Sequence, residues 1–379
     1  MFDLIVRGGR VVDPSQELDT VTDVGISGPR VSAIGRDLAR QGVRGEVIDA
    51  RGLLVTPGWI DLHTHVYWGG TSLGVEAELL ARTGGVTTFI DAGSAGPGNF
   101  HGFRRHVIEP SPVRILPYMN VSFPGIFAFS KTVMVGESAD MRLIDPREAV
   151  RVARENKDLI LGIKVRVGKS ASGNSGAQPL YMALDVAEET GLPVMAHLDN
   201  PPPARHEVVS QLRRGDILTH CFRPFPNAPV RADGRVRDEI LAARERGVIF
   251  DIGHGGGSFG FGTTRAMLAG GFLPDVISSD VHAISIEGPA FDLLTTMSKF
   301  LCLGVDLATV IKLATVNPAA AIKRTDLGTL RVGSVGEATV LDEKSGQFDY
   351  TDCIGERLVG DKRLVSAGVV LAGRWWHPI

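Results

Sequence analysis

Two histidines separated by one residue follow an apolar segment near the start of the chain. His63 and His65 come after the apolar runs 53–55 and 59–60. Because side chains alternate between the two faces of a β-strand, this spacing places both imidazoles on one side of a short buried strand. Two convergent neutral imidazoles are good ligands for a divalent metal such as zinc. The alternative is a hydrogen-bonded histidine pair at a strand end, and only further ligands elsewhere in the chain can favour the metal.

Several other strand-like runs also end in polar residues that are unusual for a buried parallel strand. In a parallel barrel the carboxyl ends of the strands meet at one face, so these residues would converge although they are far apart in the chain. Each of them alone is more often a hydrogen-bonded core residue than a ligand. Their occurrence on six separate strands favours a shared site instead. The residues are His63, His65, Lys164, His197, His220, His254 and Asp280.

Lys164 is unusual because it stands inside the apolar run 161–165. Burial of a lone ammonium group is unfavourable, so it lowers the pKa and makes the neutral amine accessible. That amine can react with carbon dioxide, and the resulting carbamate is an anionic oxygen ligand able to bridge two metal ions. The alternative is a lysine that reaches the barrel mouth or pairs with Asp280. The histidines favour the carbamate.

The elements that must position these residues alternate between strand and helix. Helical stretches such as 179–190 and 238–246 lie between the strand-like runs. Eight such alternations over about 270 residues match an α/β fold of the (β/α)8 TIM-like barrel type in number and size. An open doubly wound sheet is the competing architecture, but it more often carries a Gly-rich phosphate turn after its first strand. Besides the run that ends at the two histidines, the runs are 86–90, 113–119, 159–165, 193–197, 216–220, 248–252 and 276–280.

Both ends of the chain have the pattern of short strands joined by tight turns. A hairpin is expected about Gly8-Gly9, and a turn at Gly28-Pro29. Strand-like runs recur at 336–341 and 364–373. Since neither end has enough strands to close a core alone, we predict one small β-sandwich domain built from residues 1–55 and 325–379. The barrel then occupies residues 56–324.

The composition excludes several classes of protein. The formal net charge of the 379 residues is −3 with both signs interspersed, so a nucleic-acid surface is not expected. The three cysteines, Cys221, Cys302 and Cys353, are odd in number and far apart, which argues against a disulfide scaffold and favours a reducing compartment. No signal peptide or membrane-spanning run is visible. We expect a cytoplasmic protein without nucleic-acid or membrane partners, and a homo-oligomer is left open.

The order of the strand-end residues, with β segments at both ends of the chain, resembles the binuclear amidohydrolase superfamily. The segments 55–65, 314–319 and 333–341 agree with this resemblance, which extends over nearly the whole chain. It implies a metal-dependent hydrolase with two divalent ions, zinc being the expected metal, bridged by a carbamate on Lys164. It assigns one ion to His63, His65 and Asp280 and the other to His197 and His220.

The resemblance also implies a mechanism. The two ions share a hydroxide whose pKa they lower, and one of them polarises the substrate carbonyl. Asp280 is the implied catalytic residue. It takes the hydroxide proton as attack proceeds and passes it to the leaving group, acting first as a general base and then as a general acid.

The residues after the histidine pair bear on the substrate. Dihydroorotases of the superfamily typically have H-x-H-x-R, in which the arginine holds the substrate carboxylate, whereas Tyr67 stands at that position here. Nothing in the chain is built to recognise a purine edge, so an adenine deaminase is not favoured either. The segments 162–166, 251–259 and 279–282 resemble a subgroup often labelled dihydroorotase or adenine deaminase. The members of that subgroup look like deacetylases of acetylated hydroxy acids or N-acetyl amino acids.

Four residues are candidates for binding a small carboxylate substrate. Arg166 has the same strand parity as Lys164, so its guanidinium is expected at the barrel mouth, where it could hold a carboxylate; a structural ion pair is the alternative. Tyr67 has the parity of His65 and, with the flexible Gly255-Gly256-Gly257 loop, could shape the pocket, although loop packing is the alternative for each. The remaining candidates, His254 and His282, are expected as polar groups beside the metal ligands.

The sequence therefore predicts a metal-dependent deacetylase that cleaves a small carboxylate-bearing acetyl ester or N-acyl amide. One alternative is a cyclic amide hydrolase resembling dihydroorotase or dihydropyrimidinase. Another is a non-catalytic barrel used for assembly. Loss of metal ligands would mark the last class, and this chain keeps all six.

Overall fold

The computed structural model describes residues 1–379, whose strands form two separate sheets. The strands are β1 (Phe2–Asp13), β2 (Leu18–Ser27), β3 (Arg30–Gly35), β4 (Val43–Asp49), β5 (Leu54–Pro57), β6 (Trp59–Thr64), β7 (Val86–Ala92), β8 (Arg114–Asn120), β9 (Gly162–Val167), β10 (Val194–Leu198), β11 (Ile217–Leu218), β12 (Ile249–Phe250), β13 (Ala338–Thr351), β14 (Arg357–Leu371) and β15 (Arg374–Trp376). The helices are α1 (Ala77–Gly84), α2 (Phe100–Phe103), α3 (Pro146–Glu155), α4 (Gln178–Thr190), α5 (Arg205–Val209), α6 (Asp238–Arg246), α7 (Phe261–Ala269), α8 (Leu293–Cys302), α9 (Leu307–Ala314) and α10 (Val316–Ala321).

Strands β6 to β12 form a curled parallel sheet in which each strand is hydrogen-bonded to the next one along the chain. Their residues are buried on both faces, which explains why the runs are almost continuously apolar. Capping residues mark some of the helix ends in the barrel. Asp292 accepts a hydrogen bond from the backbone amide of Thr295 at the start of α8, and Gly191 ends α4 in the left-handed conformation. The helical stretches predicted at 179–190 and 238–246 are α4 and α6.

The eighth run, predicted at 276–280, closes the curled sheet through its backbone, although it is too irregular to form a strand. On one side the amide of Ile252 donates to the carbonyl of Val276 (3.0 Å). On the other side the amide of Asp280 donates to the carbonyl of His63 (2.7 Å). Ser279 adds two bonds to the buried carboxylate of Asp61, from its amide (2.9 Å) and its hydroxyl (2.5 Å). The predicted α/β class with a TIM-like barrel is confirmed.

The two ends of the chain build a second, separate sheet, as predicted. Its eight strands run in the order β15-β14-β13-β5-β1-β2-β3, and β4 pairs with β1. Strand β5 pairs with both β1 and β13, so the domain boundary predicted at residue 55 falls inside a strand. The long strands β13 and β14 also reach the barrel, where the amide of Leu364 donates to the hydroxyl of Ser298 in α8 (2.9 Å).

The turn at Gly28-Pro29 joins β2 to β3 as predicted, but the hairpin predicted about Gly8-Gly9 is wrong. These glycines lie inside β1, where the register against β2 shifts between Val6 and Gly9. Gly8 has a positive φ of 70° and its amide donates to the carboxylate of Asp23 (2.8 Å). The glycine pair therefore forms a β-bulge that lets a single strand continue. None of the helices combines the length and apolar character that crossing a bilayer requires.

Candidate metal centre and active site

A cavity of about 320 Å³ opens at the carboxyl ends of the barrel strands, and all six proposed metal ligands line it. Strands β6, β9 and β10 carry His63, Lys164 and His197. His65 follows the end of β6, His220 follows the end of β11, and Asp280 lies on the closing run. The structure thus brings together the residues that the strand-end pattern placed at one face of a barrel.

Three of these side chains form a compact group that could hold one metal ion. The Nε2 atoms of His63 and His65 lie 3.3 Å and 3.2 Å from the same carboxylate oxygen of Asp280. The candidate ligand atoms of the three residues all lie within 4.8 Å of one another, and the three side chains are buried. Two imidazole nitrogens and a carboxylate oxygen are a donor set that suits a divalent ion such as zinc.

The other proposed ligands adjoin this group. The ring of His220 lies between those of His63 and His197, with centroid distances of 5.0 Å and 4.5 Å. His197 Nε2 is buried and has no hydrogen-bond partner, an unusual state for a polar atom in a folded protein. Lys164 is fully buried, and its Nζ lies 3.4 Å from His63 Nε2. Burial lowers the pKa of Lys164 to about 7, which makes the neutral amine accessible.

The outer nitrogens of three of the histidines are held by partners away from the cavity. His63 Nδ1 contacts the hydroxyl of Thr219 (2.7 Å), and His65 Nδ1 contacts the hydroxyl of Ser94 (2.9 Å). His220 Nδ1 donates to the carbonyl of Gly253 (2.6 Å). Such bonds are typical of metal-binding histidines because they fix the ring and leave Nε2 for the ion. The side chains at this site are therefore suited to bind a metal ion.

The bond to His63 belongs to a buried chain of polar groups behind the site. Thr219 donates its hydroxyl proton to Asp251 (2.7 Å), and Ser278 donates to the other oxygen of that carboxylate (2.5 Å). Burial raises the pKa of Asp251 to about 6, although the two hydrogen bonds lower it. Neither Thr219 nor Asp251 was identified from the sequence. In the sequence, the only sign of either residue is its polar character inside a predicted buried strand.

The backbone is strained at two of the proposed ligands. His220 has a φ of 60° and Asp280 a φ of 49°, a left-handed conformation that non-glycine residues seldom adopt. Residues held in such conformations cluster at functional sites, where the surrounding structure enforces them. The turn at His220 also explains why β11 ends at Leu218, two residues before the end of the strand predicted from the sequence.

Burial sets the protonation of the site. It lowers the pKa values of His63, His197 and His220 well below the usual range and that of His65 to about 3, so the imidazoles are neutral, as metal ligation requires. Burial also raises the pKa of Asp280 to about 6, although the positive groups around it oppose this. A carboxylate with a pKa near neutrality can both accept and release a proton.

Arg166 and His282, two of the four proposed substrate-binding residues, line the cavity. Arg166 Nη1 donates to a carboxylate oxygen of the buried Glu137 (3.0 Å), and its guanidinium lies over the ring of Phe129 at 5.1 Å from the centroid. The ring centroid of His282 lies 6.1 Å from that of His65. The structure therefore contains the ion pair that was the alternative explanation for Arg166.

The other two proposed substrate-binding residues, Tyr67 and His254, do not line the cavity. Strand β6 ends at Thr64, so the alternation of faces no longer applies at Tyr67, whose ring stacks on Phe103 at 4.5 Å. His254 stands between Gly253 and Gly255, which have positive φ values of 45° and 53° and change the direction of the chain. Its Nε2 accepts a hydrogen bond from the buried amine of Lys299 (2.7 Å).

A short hairpin at residues 128–135 covers one side of the cavity. The amide of Val135 donates to the carbonyl of Ala128, and that of Ser130 to the carbonyl of Val133, both at 2.9 Å. This hairpin contributes Phe129, Met134 and Val135 to the cavity wall, which Leu73, Ile126 and Ile284 complete as an apolar surface. The two glycines Gly256 and Gly257 line the wall as well, so part of the predicted flexible loop does face the cavity.

Two further charged residues in the wall, Asp199 and Arg223, were missed by sequence reasoning. The carboxylate of Asp199 accepts hydrogen bonds from the amides of Ser170 and Ala171 (3.2 Å and 3.0 Å). Arg223 lies three residues beyond His220, and this position on the loop after a barrel strand was the available signal.

Comparisons with known proteins agree on the class of fold. Residues 54–252 match the model described as Amidohydrolase family. A deacetylase of Agrobacterium fabrum is 36% identical over 336 residues, 88% of this chain and 82% of its own. A deacetylase of Brucella anthropi is 37% identical over 341 residues, 89% of this chain and 83% of its own.

Solved structures similar to this chain carry other descriptions. A structure described as an adenine deaminase superposes with a TM-score of 0.90 at 28% identity and covers 100% of both chains. A structure described as a dihydroorotase has a TM-score of 0.89 at 32% identity and covers 100% of this chain and 99% of its own. The descriptions thus agree on the architecture and differ in the substrate.

Proposed function

This chain belongs to the amidohydrolase family, and from that premise we propose that it is a metal-dependent deacetylase of small carboxylate-bearing esters or amides. The observation that carries the proposal is the convergence of six ligand-type side chains in one cavity. Two relatives described as deacetylases, at 36% and 37% identity over most of both chains, support the choice of reaction. The absence of an arginine at Tyr67, two residues beyond His65, argues against dihydroorotate as substrate.

The residues that would hold the metal are those of the ligand set. We assign His63, His65 and Asp280 to one divalent ion and His197 and His220 to a second. The neutral amine of Lys164 would attack carbon dioxide and lose a proton, and the resulting carbamate would supply anionic oxygen ligands for the metal. Zinc suits this mixture of imidazole and oxygen donors. When bound, the ions lower the pKa of water and polarise a carbonyl oxygen.

The chain itself supplies proton transfer and orientation. Asp280, whose carboxylate lies beside the imidazoles of His63 and His65, would take the proton of the attacking water. It would then deliver that proton to the departing nitrogen or oxygen as the acyl bond breaks. The hydrogen bonds between the two imidazoles and the hydroxyls of Thr219 and Ser94 hold the rings in place. The apolar wall of the cavity would limit the access of bulk water once a substrate fills it.

The experiment is an assay of the zinc-loaded protein against a panel of candidate substrates. The panel contains both enantiomers of N-acetyl amino acids and acetylated hydroxy acids, together with dihydroorotate and adenine. We expect release of acetate from at least one acetyl compound and about two metal ions per chain. Asp280→Asn should abolish turnover, whereas Asp238→Asn, at an exposed position on α6, is the matched control. Turnover of dihydroorotate with none of the acetyl compounds would overturn the proposal.

A further inference from the structure

We propose that Arg223 binds the substrate carboxylate, a role that rests on the proposed deacetylase function. Two arginines, Arg166 and Arg223, line the cavity, and either could in principle hold an anionic substrate. Their surroundings differ in whether the positive charge is already compensated by the protein. That difference selects Arg223.

The charge of Arg166 is compensated within the protein. Its Nη1 donates to Glu137 at 3.0 Å, and the arginine and carboxylate side chains are only 11% and 3% exposed. Separating a buried pair to free the arginine would leave Glu137 as an uncompensated buried charge, which is strongly unfavourable. The pair therefore has a structural role in the cavity wall, and Arg166 is not free to bind a second carboxylate through the same donor.

The charge of Arg223 has no such partner. No carboxylate oxygen lies within 4.0 Å of its guanidinium, and its one side-chain hydrogen bond runs from Nη1 to the carbonyl of Leu198 (2.6 Å). Its Nε is buried and has no partner. The carboxylate of Asp199, which favours the charged guanidinium through space, is already bonded to two backbone amides. An anion in the cavity would satisfy both the unpaired donor and the uncompensated charge.

The geometry of the free donors matches a carboxylate. Nη1 is engaged by Leu198, whereas Nε and Nη2 have no partner in the protein, and these two nitrogens form the edge of a guanidinium that can donate two parallel bonds. Elsewhere in this protein the same edge binds a carboxylate: Arg10 donates from Nε and Nη2 to the two oxygens of Asp19, each at 2.7 Å. Arg223 therefore has two donors that no residue of the chain engages and that a carboxylate ligand would pair with.

The position of Arg223 matches a carboxylate close to the bond that is cleaved. Arg223 lines the same cavity as the proposed metal ligands His197 and His220. In an N-acetyl amino acid or an acetylated 2-hydroxy acid, one carbon separates the carboxylate from the departing nitrogen or oxygen. We therefore expect Arg223 to favour substrates whose carboxylate is adjacent to the acylated atom.

The test compares an acid with its uncharged amide. The kcat/KM of zinc-loaded wild type and Arg223→Met is measured on the N-acetyl amino acid that wild type hydrolyses fastest and on the corresponding primary amide. We expect about a 100-fold loss for the acid and less than about a threefold loss for the amide, because only the acid makes the charged bond. Arg147→Met, which removes an arginine that is 92% exposed, should change neither value.

An equal loss for acid and amide in Arg223→Met would overturn the proposal and assign the residue a purely structural role through Leu198. If that variant does not fold, Arg223→Lys replaces it. Lysine keeps a donor for Leu198 but lacks the two-donor edge, so the acid should lose about tenfold and the amide less than about threefold. An unchanged ratio of acid to amide in this variant would also refute carboxylate binding.

Failure of the proposed function would have a different outcome. In that case wild type would release acetate from no acetyl compound, whatever residue stands at position 223. Thermal stabilisation of the metal-loaded protein by N-acetylalanine and by its amide then reports on Arg223 directly. Greater stabilisation by the acid in wild type, lost in Arg223→Met, supports carboxylate binding, whereas equal stabilisation by acid and amide contradicts it.

Discussion

Replacement of Thr219 by valine should weaken metal binding although it leaves the cavity wall unchanged. The hydroxyl of Thr219 stands between His63 Nδ1 and Asp251, and each contact is 2.7 Å long. Valine keeps the branched shape of threonine but offers neither an acceptor for the imidazole nor a donor for the carboxylate. The ring of His63 would lose the bond that orients its Nε2 toward Asp280.

The magnitude follows from the burial of all three groups. Loss of a partner that orients a metal-binding histidine typically weakens metal binding by about 10- to 100-fold. At roughly 1.4 kcal/mol for each factor of ten, this is about 1.4 to 2.8 kcal/mol of binding free energy. The metal-free protein should also lose about 1 to 3 kcal/mol of stability, because Asp251 keeps only its bond from Ser278.

The assay is competition for zinc between the protein and a chromogenic chelator, with thermal unfolding of the metal-free protein measured in parallel. Thr219→Ser restores the hydroxyl and should recover most of the zinc affinity. Thr83→Val removes a hydroxyl that bonds to its own helix on the surface of α1, and it should behave like wild type. Zinc affinity of Thr219→Val within twofold of wild type, or an equally large defect in Thr219→Ser, would refute the reasoning.

Three further predictions concern the bridging lysine, a buried amine outside the cavity and the apolar wall. Lys164→Met should lower the metal content from about two ions per chain to about one, measured by mass spectrometry, and an unchanged content would contradict a bridging role. Burial lowers the pKa of Lys299 from 10.5 to about 7. Between those values the unfolded chain binds more protons, so the Lys299 contribution to stability rises with pH. The urea midpoint of Lys299→Met should therefore rise less with pH than that of wild type over this range. An equal rise in the two proteins would contradict the prediction. Met134→Ala should lower kcat/KM about tenfold for an acetylated substrate with an aromatic substituent relative to one with a methyl group. An unchanged ratio of the two kcat/KM values would show that Met134 does not contact the substituent.

Sequence reasoning predicted the convergence of the proposed ligands because it used regular strand geometry. His197 and Lys164 lie within β10 and β9, and the rings of His63 and His65 lie 5.4 Å apart on the same side of the chain. The same reasoning failed where the chain leaves regular geometry. Tyr67 follows the end of β6, and His254 stands between glycines with positive φ, so strand parity could not predict either side chain.

The supporting residues could not be found because their roles depend on contacts rather than on spacing. Thr219 meets His63 across 156 positions of the chain, and Glu137 meets Arg166 across 29. A threonine or glutamate at such a distance forms no recognisable pattern. The number of barrel strands could be predicted from the sequence, but their lengths could not. The strands β11 and β12 have only two residues each because the chain turns at the site, and hydrophobic patterning does not encode such turns.

The barrel closes at the proposed metal ligands, and this has a consequence for the time course of folding. Asp280 bonds to His63 across the closure, and Ser279 bonds to Asp61, which lies 218 positions earlier in the chain. Contacts between residues so far apart form slowly because bringing them together costs chain entropy that no earlier contact offsets. The proposed ligand set is therefore complete only after β6 and the closing run have met. We therefore expect metal uptake to follow the completion of folding and not to seed it.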